Sequence, residues 1–280
     1  MSGEPVRRDR YFEFDGARLR YRDEGKGPAI LLIHGWALDL DMWEPQVSDL
    51  SRSFRIIRFD RRGFGRSSGI PGLAADAADA RALCGHLGIR RVALVGMSQG
   101  ARVVQLLASS AAQRLISCVV FDGAPDLRSG ARLTAQDMSL TQFSTLVRTD
   151  GIEAFRRAWM THPLARLVTS NPRSRQLLNE IIGRYRASDL LESIRETPNP
   201  AAQVPRWPAL QANRIPALVL NGRFDLSSRR QAGKVLARML NLSERVIIDR
   251  AGHLPNLDNP AAYNRALRRF FARQARAAIG

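Results

Sequence analysis

A serine between two glycines is the residue in this sequence best suited to act as a nucleophile. Ser98 lies at the centre of Gly96-Met97-Ser98-Gln99-Gly100, which follows the apolar run Val92 to Val95 and precedes a helical pattern. A serine at a sharp turn between a strand and a helix has a strained backbone that lifts its hydroxyl clear of the sheet, and the residues two positions away must be small. The amino-terminal end of the helix also favours negative charge at this position. The pattern therefore predicts that Ser98 is a nucleophile.

A serine nucleophile needs a base, and only four histidines are available. His86 falls inside a helical pattern, His162 precedes a proline, and His34 lies at the end of a predicted strand, where it is expected to shape a turn. His253 follows the last predicted strand, and loops at the carboxyl ends of parallel strands are where sites form. We therefore predict that His253 is the general base.

The base in turn needs an acid that orients it. Asp225 follows the predicted strand Ala217 to Leu220, and the chain order Ser98, Asp225, His253 is the order expected of a serine in this kind of turn. Asp122, which follows another predicted strand, is the alternative, and Asp249 is less well placed because it is only four residues before His253. We favour Asp225 as the acid.

Attack by a serine produces an oxyanion, which is stabilised by two N–H donors. The backbone N–H of Gln99, directly after the nucleophile, is the first candidate. The second is the backbone N–H of Trp36 in His34-Gly35-Trp36, because Gly35 allows close approach of the backbone.

The elements that must position these residues alternate between strands and helices, and this alternation indicates a mainly parallel sheet covered by helices on both faces. A hairpin is predicted around Asp15-Gly16. The predicted strands are Tyr11 to Phe14, Leu19 to Arg22, Ala29 to Ile33, Phe54 to Phe59, Val92 to Val95, Ser117 to Phe121, Ala217 to Leu220 and Arg245 to Ile248. The predicted helices of this part are Met42 to Leu50, Ala74 to Leu87, Gln99 to Ala108, Arg229 to Leu240 and Ala261 to Ala275.

One region interrupts the alternation. Between about Leu127 and Arg214 the sequence has helical patterns without a convincing strand, and prolines divide it. We therefore predict one α/β core of residues 1–126 and 215–280, with a helical insertion of residues 127–214 that could cover the site. The helices predicted within it are Asp137 to Val147, Ile152 to Met160 and Arg173 to Leu191.

Charge is the unusual feature of the composition. The formal net charge of the 280-residue chain is +17, and 41 of its 43 cationic side chains are arginines. Such a charge could indicate binding to nucleic acid, but no zinc-finger spacing or RNA-recognition signature is present and the arginines are scattered. We therefore predict no nucleic-acid partner, although an arginine of the insertion or Arg223 could favour anionic substrates. The oligomeric state is left open.

The compartment is predicted from the amino terminus, the apolar runs and the cysteines. The first ten residues are polar, no apolar run is long enough to span a membrane, and two cysteines cannot form a disulfide framework. These features predict a cytoplasmic protein without a membrane partner.

Taken together, the motifs resemble the α/β-hydrolase superfamily over essentially the full chain. The residues that carry the resemblance are His34-Gly35-Trp36, Asp60 to Ser67, Gly96 to Gly100, Gly222 to Asp225 and Gly252-His253. The resemblance implies an eight-stranded, mostly parallel sheet with a helical cap inserted after strand 6, an acyl-enzyme formed by Ser98, and no cofactor or metal. Ala101 replaces a common glycine, Gln99 replaces the commoner Met or Leu, and the stretch from Asp60 to Ser67 is expected to be structural.

The closest resemblance is to carboxylesterases and enol-lactonases, so we expect hydrolysis of a small-molecule ester or lactone. Cleavage of a carbon–carbon bond in a ring-fission product and acyl transfer to an acceptor other than water use the same three residues and stay open, and a non-catalytic ligand receptor of this fold is a further alternative. The residues predicted to line the substrate pocket are His34, Met97, Met138, Phe143 and Trp159.

Overall fold

A central sheet of eight strands organises the computed structural model, which describes residues 8–123, 140–192 and 207–277. The eight strands predicted from the sequence are confirmed, with small changes at their ends. The strands are β1 (Arg10–Phe14), β2 (Ala17–Glu24), β3 (Ala29–Ile33), β4 (Arg55–Phe59), β5 (Val92–Met97), β6 (Ile116–Asp122), β7 (Ala217–Gly222) and β8 (Ser243–Ile248).

The strands lie in the order β1-β2-β4-β3-β5-β6-β7-β8. β1 and β2 form an antiparallel hairpin whose turn residues Asp15 and Gly16 both have positive φ, and β2 is also antiparallel to β4. All the other neighbours are parallel. The carboxyl ends of β3, β5, β6, β7 and β8 therefore meet along one edge, where the candidate site lies.

Successive residues of the central strands enter two different apolar cores, because side chains alternate across a sheet. On β3, Ile30 and Leu32 face one core, whereas Leu31 and Ile33 face the other. Helices cover both faces. They are α1 (Glu44–Leu50), α2 (Leu73–His86), α3 (Gln99–Ala108), α4 (Leu140–Thr161), α5 (Pro172–Arg184), α6 (Ser188–Glu192), α7 (Trp207–Ala212), α8 (Ser227–Met239), α9 (Pro255–Asp258) and α10 (Pro260–Ala277).

The described residues between β6 and β7 contain helices α4 to α7 and no strand, as the sequence predicted. Phe155 and Trp159 of α4 and Leu178 of α5 belong to the same apolar core as Ile30 and Leu32 of the sheet. The insertion therefore packs directly on the core. Its limits at residues 127 and 214 stay a prediction.

Two predicted helices differ in detail from the structure. The prediction of one helix from Arg173 to Leu191 is wrong, because α5 ends at Arg184 and Ala187, with φ of 58°, separates it from α6. By contrast, the separation of two helices at Gly151 is confirmed: with φ of 80° and ψ of 174°, this residue interrupts the helical backbone within α4. The predicted helix from Met42 begins instead as the 3₁₀ turn Leu40–Trp43, which the carboxylate of Asp39 caps.

No helix among residues 8–123, 140–192 and 207–277 is long and apolar enough to cross a membrane.

Candidate active site

Ser98 occupies a strained turn between β5 and α3. Its φ of 51° and ψ of −110° lie where residues other than glycine are uncommon. The backbone N–H of Ser98 donates to the carbonyl oxygen of Asp122, at 2.7 Å, and this bond ties the turn to the end of β6. The turn therefore holds Ser98 at the carboxyl edge of the sheet.

The two glycines of the turn are required by packing. A Cβ at Gly96 would lie 2.3 Å from the carbonyl oxygen of Gly100, and one at Gly100 would lie 2.2 Å from the carbonyl oxygen of Ile33. Both distances are shorter than van der Waals contact, so a side chain at either position would force the turn open.

Ser98, His253 and Asp225 form a chain of hydrogen bonds. Nε2 of His253 lies 3.0 Å from Oγ of Ser98, and its Nδ1 lies 2.9 Å from Oδ1 of Asp225. The side chains of His253 and Asp225 are buried, whereas Ser98 is partly exposed. The structure thus brings together the three residues singled out in the sequence, although they come from three different loops.

Asp225 also accepts a hydrogen bond from the backbone N–H of Leu226, at 2.8 Å. Asn221, at the end of β7, lies behind it, with Nδ2 at 3.5 Å from Oδ2 of Asp225 and at 3.2 Å from the carbonyl oxygen of Arg229. Oδ1 of Asp225 therefore faces both Leu226 and His253, whereas Oδ2 faces Asn221.

The loop that carries His253 is held by a residue that sequence reasoning missed. The carboxylate of Asp258 accepts hydrogen bonds from the backbone N–H groups of Gly252, Val168 and Thr169, at 2.7, 2.7 and 2.9 Å. Asp258 therefore joins this loop to a segment of the insertion. Only tertiary structure reveals this role, because Val168 is 90 residues away in sequence.

The two other candidate acids are not bonded to His253. Asp249 is exposed and pairs with Arg223. Asp122 is fully buried, and burial together with the nearby charge of Asp225 raises the pKa of its carboxyl well above the ordinary value. Because burial disfavours its ionised form, Asp122 is poorly suited to stabilise a histidinium.

The loops that follow β3 and β5 pack closely, and this packing brings the predicted N–H donors into one neighbourhood. A Cβ at Gly35 would lie 2.7 Å from Sδ of Met97, so the absence of a side chain allows the two loops to approach. Within the described part of the chain, the backbone N–H groups of Trp36 and Gln99 donate to no acceptor. Gln99 is the first residue of α3, where N–H groups lack partners within the helix.

Trp36 joins an aromatic cluster made with the insertion. Its ring centroid lies 5.8 Å from that of Phe143 and 4.8 Å from that of Trp159, so two of the predicted pocket residues contact the loop that carries the predicted N–H donor. The indole Nε1 donates to Asp189, which also accepts from the hydroxyl of Tyr185 at 2.6 Å.

The other three predicted pocket residues differ in their position. Met97 is buried against Gly35. His34 is fully buried: its Nε2 accepts from the N–H of Arg61 at 2.9 Å and its Nδ1 lies 2.8 Å from the carbonyl oxygen of Gly35. Burial and the charge of Arg61 lower the pKa of His34 well below the ordinary value, so it is neutral and both its nitrogens are occupied by the turn. Met138 lies outside the described residues.

Arg61 is a second residue near Ser98 that sequence reasoning missed. Its guanidinium is fully buried and donates to Oε1 of Gln99, the neighbour of Ser98. The sequence carries one signal of it, the consecutive arginines of Asp60-Arg61-Arg62, but does not indicate which of the two is buried near the site.

Among the residues that the structure describes, no group of three or more histidine, cysteine, aspartate or glutamate side chains is placed to hold a metal ion.

Comparison with known proteins shows the class to which this fold and site belong. A family model described as "alpha/beta hydrolase fold" matches residues 28–260. The chain therefore belongs to the α/β-hydrolase family, as its motifs indicated.

Two curated relatives are named for halogen chemistry. The chain is 30% identical over 270 residues, which are 91% of its length and 97% of the relative, to a protein from Mycobacterium tuberculosis named as a non-heme bromoperoxidase. It is 40% identical over 119 residues to a non-heme haloperoxidase from Rhodococcus erythropolis, and this match spans 40% of the chain and 43% of that protein.

Two similar solved structures are hydrolases of esters and lactones. A thermophilic esterase from Thermogutta terrifontis, solved with malate bound, is 25% identical, with a TM-score of 0.79 and coverage of 95% of this chain and 99% of that one. An enol-lactonase from Burkholderia xenovorans is 26% identical, with a TM-score of 0.76 and coverage of 94% and 100%.

Proposed function

We propose that this α/β hydrolase cleaves carboxylic esters or lactones through a covalent acyl-enzyme formed on Ser98. The observation that carries the proposal is the hydrogen-bonded chain from Ser98 through His253 to Asp225, placed at a strained turn. A nucleophile, a base and a group that orients the base, all within hydrogen-bond reach, are the requirements of acyl transfer through a serine.

In the first half of the reaction, Oγ of Ser98 attacks the carbonyl carbon of the ester while its proton passes to Nε2 of His253. Asp225 accepts a hydrogen bond from Nδ1 and stabilises the positive charge on the ring. The backbone N–H groups of Trp36 and Gln99 bind the oxyanion of the tetrahedral intermediate. Its collapse breaks the bond to the alcohol oxygen, which receives the proton from His253, and leaves the acyl group on Ser98.

In the second half, His253 takes a proton from a water molecule, which attacks the acyl carbon. The new tetrahedral intermediate collapses, the carboxylic acid leaves, and Oγ of Ser98 regains its proton from His253. With a lactone, the alcohol and the acid are parts of one product.

A second candidate is acyl transfer to hydrogen peroxide. In this reaction peroxide replaces water as the attacking group, and the product released from Ser98 is a peracid. The observation that favours it is the 30% identity, over 91% of the chain, to the relative named as a bromoperoxidase. The proposed residues keep their roles, and only the acceptor changes.

We further propose that the enzyme works on small molecules in a reducing cytoplasm. The free, buried thiols of Cys84 and Cys118 support this proposal, since burial raises the pKa of each to about 12 and keeps it protonated.

The proposal is tested with Ser98→Ala and short p-nitrophenyl esters. We expect the variant to lose activity by at least about 10⁴-fold, because no other group can form the acyl-enzyme. Ser53→Ala, an exposed serine in the turn after α1, is the matched control and should keep full activity. Circular dichroism checks that both variants are folded, and a fluorophosphonate probe should label the wild type and Ser53→Ala but not Ser98→Ala.

Retention of more than a few per cent of activity by folded Ser98→Ala would contradict the proposed nucleophile. If the probe does not label the wild type but the protein binds a ligand, the result would instead favour the alternative of a non-catalytic ligand receptor. Product analysis of the wild type with added hydrogen peroxide separates the two acceptors, since only transfer to peroxide forms a peracid.

A further inference from the structure

A cavity of about 610 Å³ lies where the loop after β4 and the first turn of α3 meet the insertion. Its volume is in the range of small-molecule sites. Arg61 and Arg102 line it from the core, Ser144 and Asp189 line it from the insertion, and Gln99 lies on its wall. Gln99 directly follows Ser98 in sequence, so the cavity lies beside the turn that carries the proposed nucleophile.

Arg61 enters this cavity with an incomplete set of partners. One face of its guanidinium lies over the ring of Phe64, and Nη2 donates to Gln99. Nε and Nη1 are buried and have no hydrogen-bond acceptor. The nearest carboxylate oxygen, on Asp76, lies 3.6 Å from Nη1, which is too long for a hydrogen bond.

Arg102, in the first turn of α3, also has an incomplete set of partners among the described residues. Its Nε is buried without an acceptor, and no carboxylate of the described residues forms an ion pair with it. Burial, together with the positive charges of Arg61 and Arg229, lowers the pKa of Arg102 to about 10. It is still charged at neutral pH. Two neighbouring guanidinium groups therefore line the cavity, and three of their nitrogens have no hydrogen-bond acceptor among the described residues.

The acids of the cavity are already engaged. Asp189 accepts from the indole of Trp36 and the hydroxyl of Tyr185. Oδ1 of Asp76 accepts from the backbone N–H of Arg62 at 3.3 Å. Leaving charged donors buried without acceptors is costly, and a guanidinium binds a planar carboxylate through two parallel hydrogen bonds.

We propose that Arg61 and Arg102 bind a carboxylate of the substrate, so that the preferred ester or lactone is an anionic one. This inference rests on the proposed function, since it places the substrate's reacting carbonyl at Ser98 and its carboxylate in the adjoining cavity. Arg223, which the sequence suggested for this purpose, is on the α8 side, exposed and paired with Asp249.

Two pairs of esters test the proposal, each made of an anionic ester and a neutral ester of similar length. The carboxylate is on the acyl part in the first pair and on the alcohol part in the second. Monomethyl glutarate is compared with methyl pentanoate, and the butanoyl ester of 3-hydroxypropanoate with propyl butanoate. Hydrolysis is followed by acid release in a pH-stat. We expect the wild type to prefer the anionic member of at least one pair by about tenfold or more in kcat/KM, after correction for alkaline hydrolysis, because charge-assisted hydrogen bonds are the strong ones.

Arg102→Gln should lower kcat/KM for the anionic esters far more than for the neutral ones and so remove most of this preference, because the side chain is proposed to contact the anionic group. Arg223→Gln removes the same charge outside the cavity and should leave the preference intact, which controls for long-range electrostatics. Arg61→Gln should act like Arg102→Gln. If Arg61→Gln does not fold, Arg102→Gln decides alone.

A binding measurement that does not depend on catalysis tests the carboxylate site separately from the proposed function. Glutarate should raise the melting temperature of wild type, Ser98→Ala and Arg223→Gln but not of Arg102→Gln, at constant ionic strength. If no ester is hydrolysed but glutarate stabilises in this pattern, the proposed function fails and the anion site stands. If esters are hydrolysed without preference for the anionic members and glutarate does not bind, the carboxylate site is refuted.

Discussion

Arg58 and Arg61 lie three residues apart at the end of β4 with fully buried side chains, yet their surroundings are opposite. Every nitrogen of Arg58 has an acceptor: Glu24 binds two of them at 2.9 and 3.0 Å, and Glu44 lies 2.8 Å from the third. Among the described residues, the guanidinium of Arg61 donates a hydrogen bond only to Gln99, its ion pair with Asp76 is longer, at 3.6 Å, and the side chain lines a cavity. The comparison teaches that burial alone does not distinguish an arginine that stabilises the fold from one that is available to a ligand. The number of its nitrogens that have acceptors within the protein does.

The largest effect is expected for Arg58→Met. The substitution leaves two carboxylates without their buried partner, so the free energy of unfolding should fall by about 3–5 kcal/mol. Urea denaturation measures it. The exposed Arg52→Met is the matched control and should change stability by less than about 0.5 kcal/mol. If Arg58→Met lowers the free energy of unfolding by less than about 1 kcal/mol, the proposed difference in stabilisation between Arg58 and Arg61 is contradicted.

A smaller, pH-dependent effect is expected for Asp76→Asn. Burial raises the pKa of Asp76 from 3.8 to about 6 in the folded protein. Between these values the folded state holds a proton that the unfolded chain has released, so this group makes the free energy of unfolding fall as the pH rises from about 4 to 6.

Asp76→Asn should remove that fall, which amounts to about 3 kcal/mol for two pKa units. The measurement is the difference between the unfolding free energies at pH 4 and pH 7, in the variant and in the wild type. The exposed Asp249→Asn should not change that difference. An unaltered pH slope in Asp76→Asn would contradict the raised pKa of Asp76.

The smallest effect is expected for Arg61→Met. Because a buried guanidinium with two unbonded nitrogens gains little from its surroundings, its replacement by an apolar side chain should change the free energy of unfolding by no more than about 1 kcal/mol, in either direction. The measurement is the same urea denaturation. A loss as large as that of Arg58→Met would show that Arg61 serves the fold rather than a ligand.

The strands were predictable because each is a short apolar run bounded by turn residues. Ala29–Ile33 lies between Gly27-Pro28 and His34-Gly35, and both its faces are buried, so its composition alone marks it. The helices of the insertion were predicted less well. Tyr185 and Ala187, just after the end of α5, are buried in the core, and no glycine or proline lies between Arg184 and Ser188, where the break occurs.

The candidate site likewise contains some residues that the sequence could locate and others that only the fold reveals. Ser98 could be located from the sequence because Gly96 and Gly100 satisfy local steric requirements of the turn. Three aspartates follow strands near the carboxyl edge of the sheet, and only the fold directs Asp225 towards His253, buries Asp122 and leaves Asp249 exposed. Asp258 and Arg61 act on residues far away in sequence, so no local pattern could find them.

By itself the sequence determined the alternation of strands and helices, the position of the proposed nucleophile and the family, because each rests on side-chain periodicity or on steric rules that hold over a few residues. The tertiary structure decided which acid meets the histidine, how the insertion packs, and which arginines have partners. The net charge of +17 illustrates the difference. A sum over the chain cannot distinguish Arg58 from Arg61, since electrostatic pairing depends on distances in space.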